Sequence, residues 1–161
     1  MIGRIVIMEL MEIISKIVVV IHVIAAIVGI GPAFVLPILT SSAKTGSQLR
    51  FVFGMMKTIN RFPKTGGITL IVTGILLMII DKMGLSVLWI NLSLLFFIVI
   101  EVIIIGFVEP RLKKLTQLVM ASEGDEIPVG YNAAMNKIAP LEAAVHVLTI
   151  VIIILMVVKP V

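Results

Sequence analysis

The chain has 161 residues, of which 60% are hydrophobic and 14% are charged, and its mean hydropathy is +1.26. Soluble domains are about half apolar and about a quarter charged, so the composition excludes an ordinary soluble protein and indicates an integral membrane protein. The sequence contains no cysteine, which excludes disulfides, thiolate metal ligands and iron–sulfur clusters.

Four apolar segments follow one another along the chain, and a membrane-spanning helix needs about 20 such residues. The second segment is short, and we expect its helix to begin earlier, within residues 47–62. This earlier part is either an amphipathic helix at the lipid headgroups or a solvated helical extension. An open sheet cannot span lipid, so the sequence predicts an all-α protein, a four-transmembrane-helix antiparallel bundle forming a single domain over residues 1–161. The predicted spans are about 13–39, 67–80, 85–108 and 138–158.

The basic residues favour one side of this bundle. Nine of the 13 lie in the connections after the first and third spans, and no acid lies between Thr40 and Ile80. The positive-inside rule then predicts a multi-pass protein of the cytoplasmic membrane with both termini external. The net charge of +4 is therefore explained by topology, and we expect the lipid bilayer, and no nucleic acid, as a partner.

The chain has two histidines, His22 and His146, and both fall within predicted spans. Because the first and fourth helices run in opposite directions, the rings are predicted at similar depths. Polar side chains at such depths usually face the interior of a bundle. We therefore expect the two rings to face each other, directly or through a bound group; the alternative is that each makes only an interhelical hydrogen bond.

Small and polar residues accompany both histidines. Ala25, Ala26 and Gly29 share a face with His22, and this stripe allows either close helix packing or a flat macrocycle against the backbone. Haem b with His22 and His146 as axial ligands would use both imidazoles. A metal ion held by His22, His146 and Glu142 is the less favoured alternative, since a closed zinc site would need a fourth ligand.

Three further polar residues are candidates for the same region. Thr73 places a hydroxyl on the second predicted helix and is expected to line the cofactor site. Glu101 and Glu142 lie within spans and could form a proton relay; the alternative for Glu101 is an extended side chain that reaches the basic boundary near Arg111.

Short motifs give a family resemblance. His22, Gly31-Pro32, Leu36-Pro37 and the C-terminal "ILMVVKP" (residues 154–160) resemble HemJ-type protoporphyrinogen oxidases. The wider resemblance includes CopD-like membrane proteins and, over essentially the whole chain, a family of small uncharacterised bacterial four-helix membrane proteins. The resemblance implies a b-type haem, with His22 as an axial ligand, and a redox or porphyrin-related role.

Two functions of different classes remain open at this point. One is a haem-binding protein that exchanges electrons with a quinone, a porphyrin or a redox partner protein. The other is a cofactor-free small-molecule or ion carrier, or a structural subunit of a membrane complex, suggested by the proline break at Pro32 and by the two acids within spans. The sequence leaves open whether the protein is an enzyme and whether it forms a homo-oligomer.

Overall fold

A computed structural model describes residues 2–83 and 87–160, and the regular structure in these two ranges is helical throughout. The all-α prediction is thereby confirmed. The helices are α1 (Ile2–Ser42), α2 (Gly46–Ile59), α3 (Arg61–Ile80), α4 (Leu88–Ile103), a π-helical turn (Ile104–Val108), α5 (Glu109–Met120) and α6 (Tyr131–Val158).

Four helical stretches are long and apolar enough to cross a membrane, in agreement with the predicted four-helix bundle. Two of them are composite, because α2 and α3 form one stretch and α4, the π-helical turn and α5 form another. The predicted start of the third span, at about residue 85, lies outside the described residues. The stretches are Gly3–Ser42, Gly46–Ile80, Leu88–Met120 and Tyr131–Val158.

The contacts divide the chain into two compact units. The first unit contains residues 2–33 and 59–83, so that it pairs most of α1 with α3. The second unit contains residues 34–58 and 87–160, which include α2, α4, α5 and α6. The boundary within α1 follows Pro32 and Ala33. The single domain over residues 1–161 stays a prediction.

The second unit has a core of interlocking side chains. Leu49, Phe53 and Met56 recur at helical spacing on α2 and are buried together with Tyr131 and Ile138 of α6. The Phe53 and Tyr131 rings meet edge to face, with centroids 6.4 Å apart. This arrangement uses the quadrupoles of both rings as well as their apolar area.

The π-helical turn precedes a proline. Pro110 has no backbone N–H, and its ring would clash with the carbonyl group of residue 106 in a regular α-helix. One wider turn relieves this conflict: the N–H of Glu109 donates to the carbonyl oxygen of Ile104, five residues back. The Arg111 guanidinium donates to the carbonyl oxygen of Phe107 at 2.7 Å, which satisfies a further acceptor of the wider turn.

Candidate functional site around His22

The His22 imidazole forms its hydrogen bond within the first unit. Its Nδ1 atom lies 2.7 Å from Oγ1 of Thr73, and that hydroxyl lies 2.6 Å from the carbonyl oxygen of Thr69. A hydroxyl has one hydrogen, and a carbonyl oxygen can only accept, so we assign that hydrogen to the contact with Thr69. Nδ1–H of His22 then donates to Thr73, and Nε2 is the ring nitrogen that keeps its lone pair.

The His22 ring also lies against Gly74 of α3. A Cβ atom placed on Gly74 would lie 3.5 Å from Cε1 of His22, so the edge of the imidazole passes over a position of α3 that has no side chain. Thr73 is buried, while His22 is half-buried. The ring is therefore held from one side by α3 and keeps some exposure.

The backbones of α1 and α3 come into contact one turn of α3 before Thr69. A Cβ atom on Gly66 would overlap the backbone of Gly29 and would stand 2.9 Å from the carbonyl oxygen of Ala25. Ala25 is 5% exposed and Ala26 is half-buried. Of the two roles predicted for the small-residue stripe, close helix packing is the one that the structure shows at Gly29.

These contacts belong to one regular interface. Ser15, His22 and Gly29 are seven residues apart, which is about two turns and keeps them on one face of α1. The Ser15 hydroxyl donates to Oδ1 of Asp81 at 2.8 Å, which adds a third contact to this face. Their partners, in the reverse chain order, are Asp81, which caps the C-terminus of α3, and Thr73 and Gly66 within α3.

The sequence pattern indicated His22, Gly29 and Thr73 as members of this interface but not their neighbours Gly66, Gly74 and Asp81. The signal for Gly66 was present, because a Gly-Gly pair opens the predicted second span and glycine at a helix crossing admits a second backbone. Gly74, eight residues further along α3, carries the same signal. No sequence signal marked Asp81, because an acid just after a span is ordinary at the membrane interface.

His146 belongs to the second unit. Its ring stacks on Phe34, with centroids 4.4 Å apart and planes 24° apart. Glu142 precedes it by one turn of α6 and interacts electrostatically with it. Since His22 and His146 lie in different units, their predicted meeting stays a prediction.

The two acids of the predicted relay lie in different surroundings within the second unit. Glu142 lines a groove of about 610 Å³, formed by the C-terminal end of α1 and the N-terminal half of α6. Glu101 lies on α4, one turn before the π-helical turn, and does not line this groove. It interacts electrostatically with Glu109. Among the described residues no three His, Asp or Glu side chains are grouped to share a metal ion, so the three-ligand alternative gains no support.

Four long apolar helices, with small and polar residues at a helix crossing, define an integral membrane protein. Residues 16–160 match the family described as "Predicted integral membrane protein (DUF2269)", and the chain belongs to this family. Every predicted site residue falls within the matched range. The chain matches no curated protein and no solved structure. The family match confirms the predicted membership of an uncharacterised membrane protein family and does not extend to HemJ-type or CopD-like proteins.

Proposed function

We propose that this membrane protein binds haem b with His22 as an axial ligand and has a redox or porphyrin-related role. The observation that carries the proposal is the hydrogen bond from Nδ1 of His22 to Thr73. Histidines that bind metals almost always donate their other ring N–H to a neighbouring acceptor, which fixes the tautomer and the ring orientation. Nε2 of His22 then presents its lone pair, as an iron ligand must.

The second axial ligand in this proposal is His146. Its stacking on Phe34 restrains the ring plane, and Glu142 one turn away interacts electrostatically with the imidazole. The matched depths expected from the sequence support the pairing of His146 with His22. Ala25, Ala26 and Gly29 were predicted to border the group; Gly29 packs on Gly66 instead, so in this proposal Ala25 and Ala26 are the members of the stripe that would border it.

The residues of this chain would then have separate tasks. Thr73 would position His22, and the Gly29–Gly66 crossing would fix the distance between α1 and α3. Haem, when bound, supplies one-electron chemistry. In this proposal the electron partner is a quinone, a porphyrin or a redox protein.

The test is titration of the purified protein with haemin in detergent. We expect the wild type to give a Soret band with the spectrum of six-coordinate low-spin iron, and His22→Ala to lose it. Thr73→Val removes the acceptor of Nδ1 with little change of volume and should weaken haem affinity by about 10- to 100-fold, the usual effect of losing such a partner. Thr69→Val is the matched control, because the Thr69 hydroxyl bonds to the carbonyl oxygen of Thr65 and not to His22.

A wild-type protein that stays colourless with haemin would overturn the haem proposal. Equal affinity in wild type and His22→Ala would do so as well, since the band would then come from haem bound elsewhere. His146→Ala completes the set: loss of the low-spin spectrum supports His146 as the second ligand, and an unchanged spectrum removes it from the site.

A cofactor-free carrier or structural subunit is the second candidate function, and two observations favour it. Thr73 already satisfies one ring nitrogen of His22, and the Gly29–Gly66 crossing accounts for the small residues without any macrocycle. On this alternative, Thr73→Val lowers the stability of the first unit, and haemin binds neither the wild type nor the variant.

A further inference from the structure

A second groove lies between the end of α1 and the start of α2, and we call it the α1–α2 groove. Its volume is about 410 Å³, and its lining comes from residues 39–52, all of which belong to the second unit. It has both apolar and polar lining residues: Leu39, Phe51 and Val52 are apolar, and Ser42, Ser47 and Gln48 are polar.

The apolar part of the groove continues an open face of α2. Leu49 and Phe53 belong to the core of the second unit, and Phe53 is 2% exposed. Phe51 is 69% exposed, and Met55, one turn later on the same face, is 44% exposed. The helix α2 therefore has one apolar face in the core and another that the chain leaves uncovered. At the end of a spanning helix, lipid acyl chains are available to cover such a face.

Two side chains at the start of α2 offer hydrogen-bond donors. Oε1 of Gln48 accepts the backbone N–H of Lys44 at 2.7 Å, so the NH₂ group of the Gln48 amide is turned toward other acceptors. Nζ of Lys44 carries three hydrogens, and it lies 3.4 Å from the carbonyl oxygen of Ser41, at the long limit of a hydrogen bond. An ammonium group and an amide NH₂ group together are suited to bind an anion.

The charge of Lys44 is available to an anion from outside the chain. Among residues 2–83 and 87–160, the side-chain ion pair is Lys16–Glu12 on α1, and no carboxylate lies within ion-pair distance of Lys44. The Asp125 carboxylate reaches the groove lining at Ser47, where it accepts the hydroxyl at 2.5 Å and the backbone N–H at 3.1 Å. Asp125 is therefore held by Ser47, and Lys44 keeps its positive charge at the polar end of the groove.

We propose that the α1–α2 groove binds one anionic glycerophospholipid. The phosphate group accepts hydrogen bonds from Lys44 and Gln48, and an acyl chain lies against Leu39 and Phe51. The position along the chain agrees with this, because Lys44 follows the end of α1 at Ser42 and lipid headgroups lie at the ends of spanning helices. An anionic headgroup is favoured over a zwitterionic one, since basic side chains near the membrane attract anionic lipids.

Native mass spectrometry of the full chain in detergent tests the lipid directly, because it counts the lipid molecules bound. The protein is titrated with phosphatidylglycerol, with phosphatidylcholine of the same acyl chains, and with glycerol 3-phosphate, which has the phosphate group but no chains. We expect one phosphatidylglycerol to bind at least about fivefold more tightly than phosphatidylcholine, which is the effect of about one basic residue near an anionic lipid. Glycerol 3-phosphate should bind more weakly than phosphatidylglycerol.

Variants of exposed residues locate the lipid on the chain. Lys44→Gln removes the charge beside the groove and should abolish most of the preference for phosphatidylglycerol. Lys57→Gln is the matched control, because Lys57 is exposed near the end of α2 and does not line the groove, and it should keep the preference. Phe51→Ala removes apolar surface from the groove and should weaken the binding of both lipids.

Four results would overturn the proposal. Equal binding of the two lipids would remove the anionic headgroup from the site, and binding of glycerol 3-phosphate as tight as that of phosphatidylglycerol would make it a site for free phosphate. Equal losses in Lys44→Gln and Lys57→Gln would mean that binding follows net charge and not the groove. Unchanged lipid binding in Phe51→Ala would place the acyl chain elsewhere. None of these measurements involves haemin, so their outcome is independent of the haem proposal.

Discussion

The interactions inside the first unit differ in kind from those inside the second. In the first unit, the contacts between α1 and the α3 segment include a glycine–glycine crossing and two side-chain hydrogen bonds, His22 to Thr73 and Ser15 to Asp81. In the second, large side chains form a core in which Leu49, Leu115 and Val119 are at most 1% exposed. One unit relies on close backbones and polar groups, the other on buried apolar volume.

The difference follows from the solvent that each region meets. Between helices in lipid, burial of an apolar side chain gains little, because the lipid is equally apolar, and small residues and hydrogen bonds take over. The helices α2 and α5 carry many polar residues beside their buried ones, and there the hydrophobic effect can act as it does in water. We therefore expect added side-chain volume to destabilise the first unit and lost side-chain volume to destabilise the second.

The largest expected effect is that of a side chain added at the glycine crossing. Gly66→Leu would place a Cβ atom onto the backbone of Gly29, which cannot move aside as a flexible side chain could. We expect α1 and α3 to separate, with loss of hydrogen-exchange protection in both helices. Gly67→Leu is the matched control, because nothing lies within 4 Å of a Cβ atom at Gly67.

Equal protection in the two leucine variants would contradict the glycine crossing. The same measurement reports on the second unit separately, where protection of α5 and α6 should be retained in both variants.

A smaller but still large effect is expected from lost volume in the second unit. Phe53→Ala removes a ring that is 2% exposed and contacts Tyr131, and such truncations cost about 3–5 kcal/mol. Phe51→Ala, two residues earlier on the same helix, removes a ring that is 69% exposed and should change the free energy of unfolding far less. Similar losses in the two variants, measured by denaturant titration in detergent micelles, would show that the core is not the source of stability in this unit.

Hydropathy was sufficient to predict the number of spans, but not where every helix begins. The first helix starts at Ile2 and not near residue 13, because charged residues can extend a helix beyond the apolar run: Lys16 and Glu12 form a 2.7 Å ion pair one turn apart. The second stretch begins at Gly46, ahead of residue 67, as expected from the helix predicted over residues 47–62.

The site was predictable only where a residue was unusual in its own segment. His22 stood out as an imidazole in an apolar helix, and Thr73 as a hydroxyl on a neighbouring one, and the structure joins them. Gly66 and Asp81 acquire their roles from pairing with α1, and the groove beside Glu142 arises from two helices that are distant in sequence. Between helices in lipid no apolar pattern specifies which helix pairs with which, so these features could not be predicted from the sequence.

The smallest expected effect concerns a polar contact in the second unit, the cap of α2 by Asp125. The hydroxyl and the backbone N–H of Ser47 both donate to Oδ1 of Asp125, at 2.5 and 3.1 Å. These two donors, with a smaller contribution from the positive charge of Arg50, lower the pKa of Asp125 from its ordinary value of 3.8. Because a lowered pKa means that the folded protein favours the carboxylate, the contact stabilises the fold above pH 3.8 and loses this effect as the pH falls through the lowered pKa.

Asp125→Asn should therefore lower the Tm slightly at neutral pH and leave the Tm unchanged well below pH 3.8. Glu123→Gln, on the same connection, is the control and should leave the Tm unchanged at both pH values. A Tm difference for Asp125→Asn that persists undiminished in acid would mean that the carboxylate charge contributes nothing to the cap.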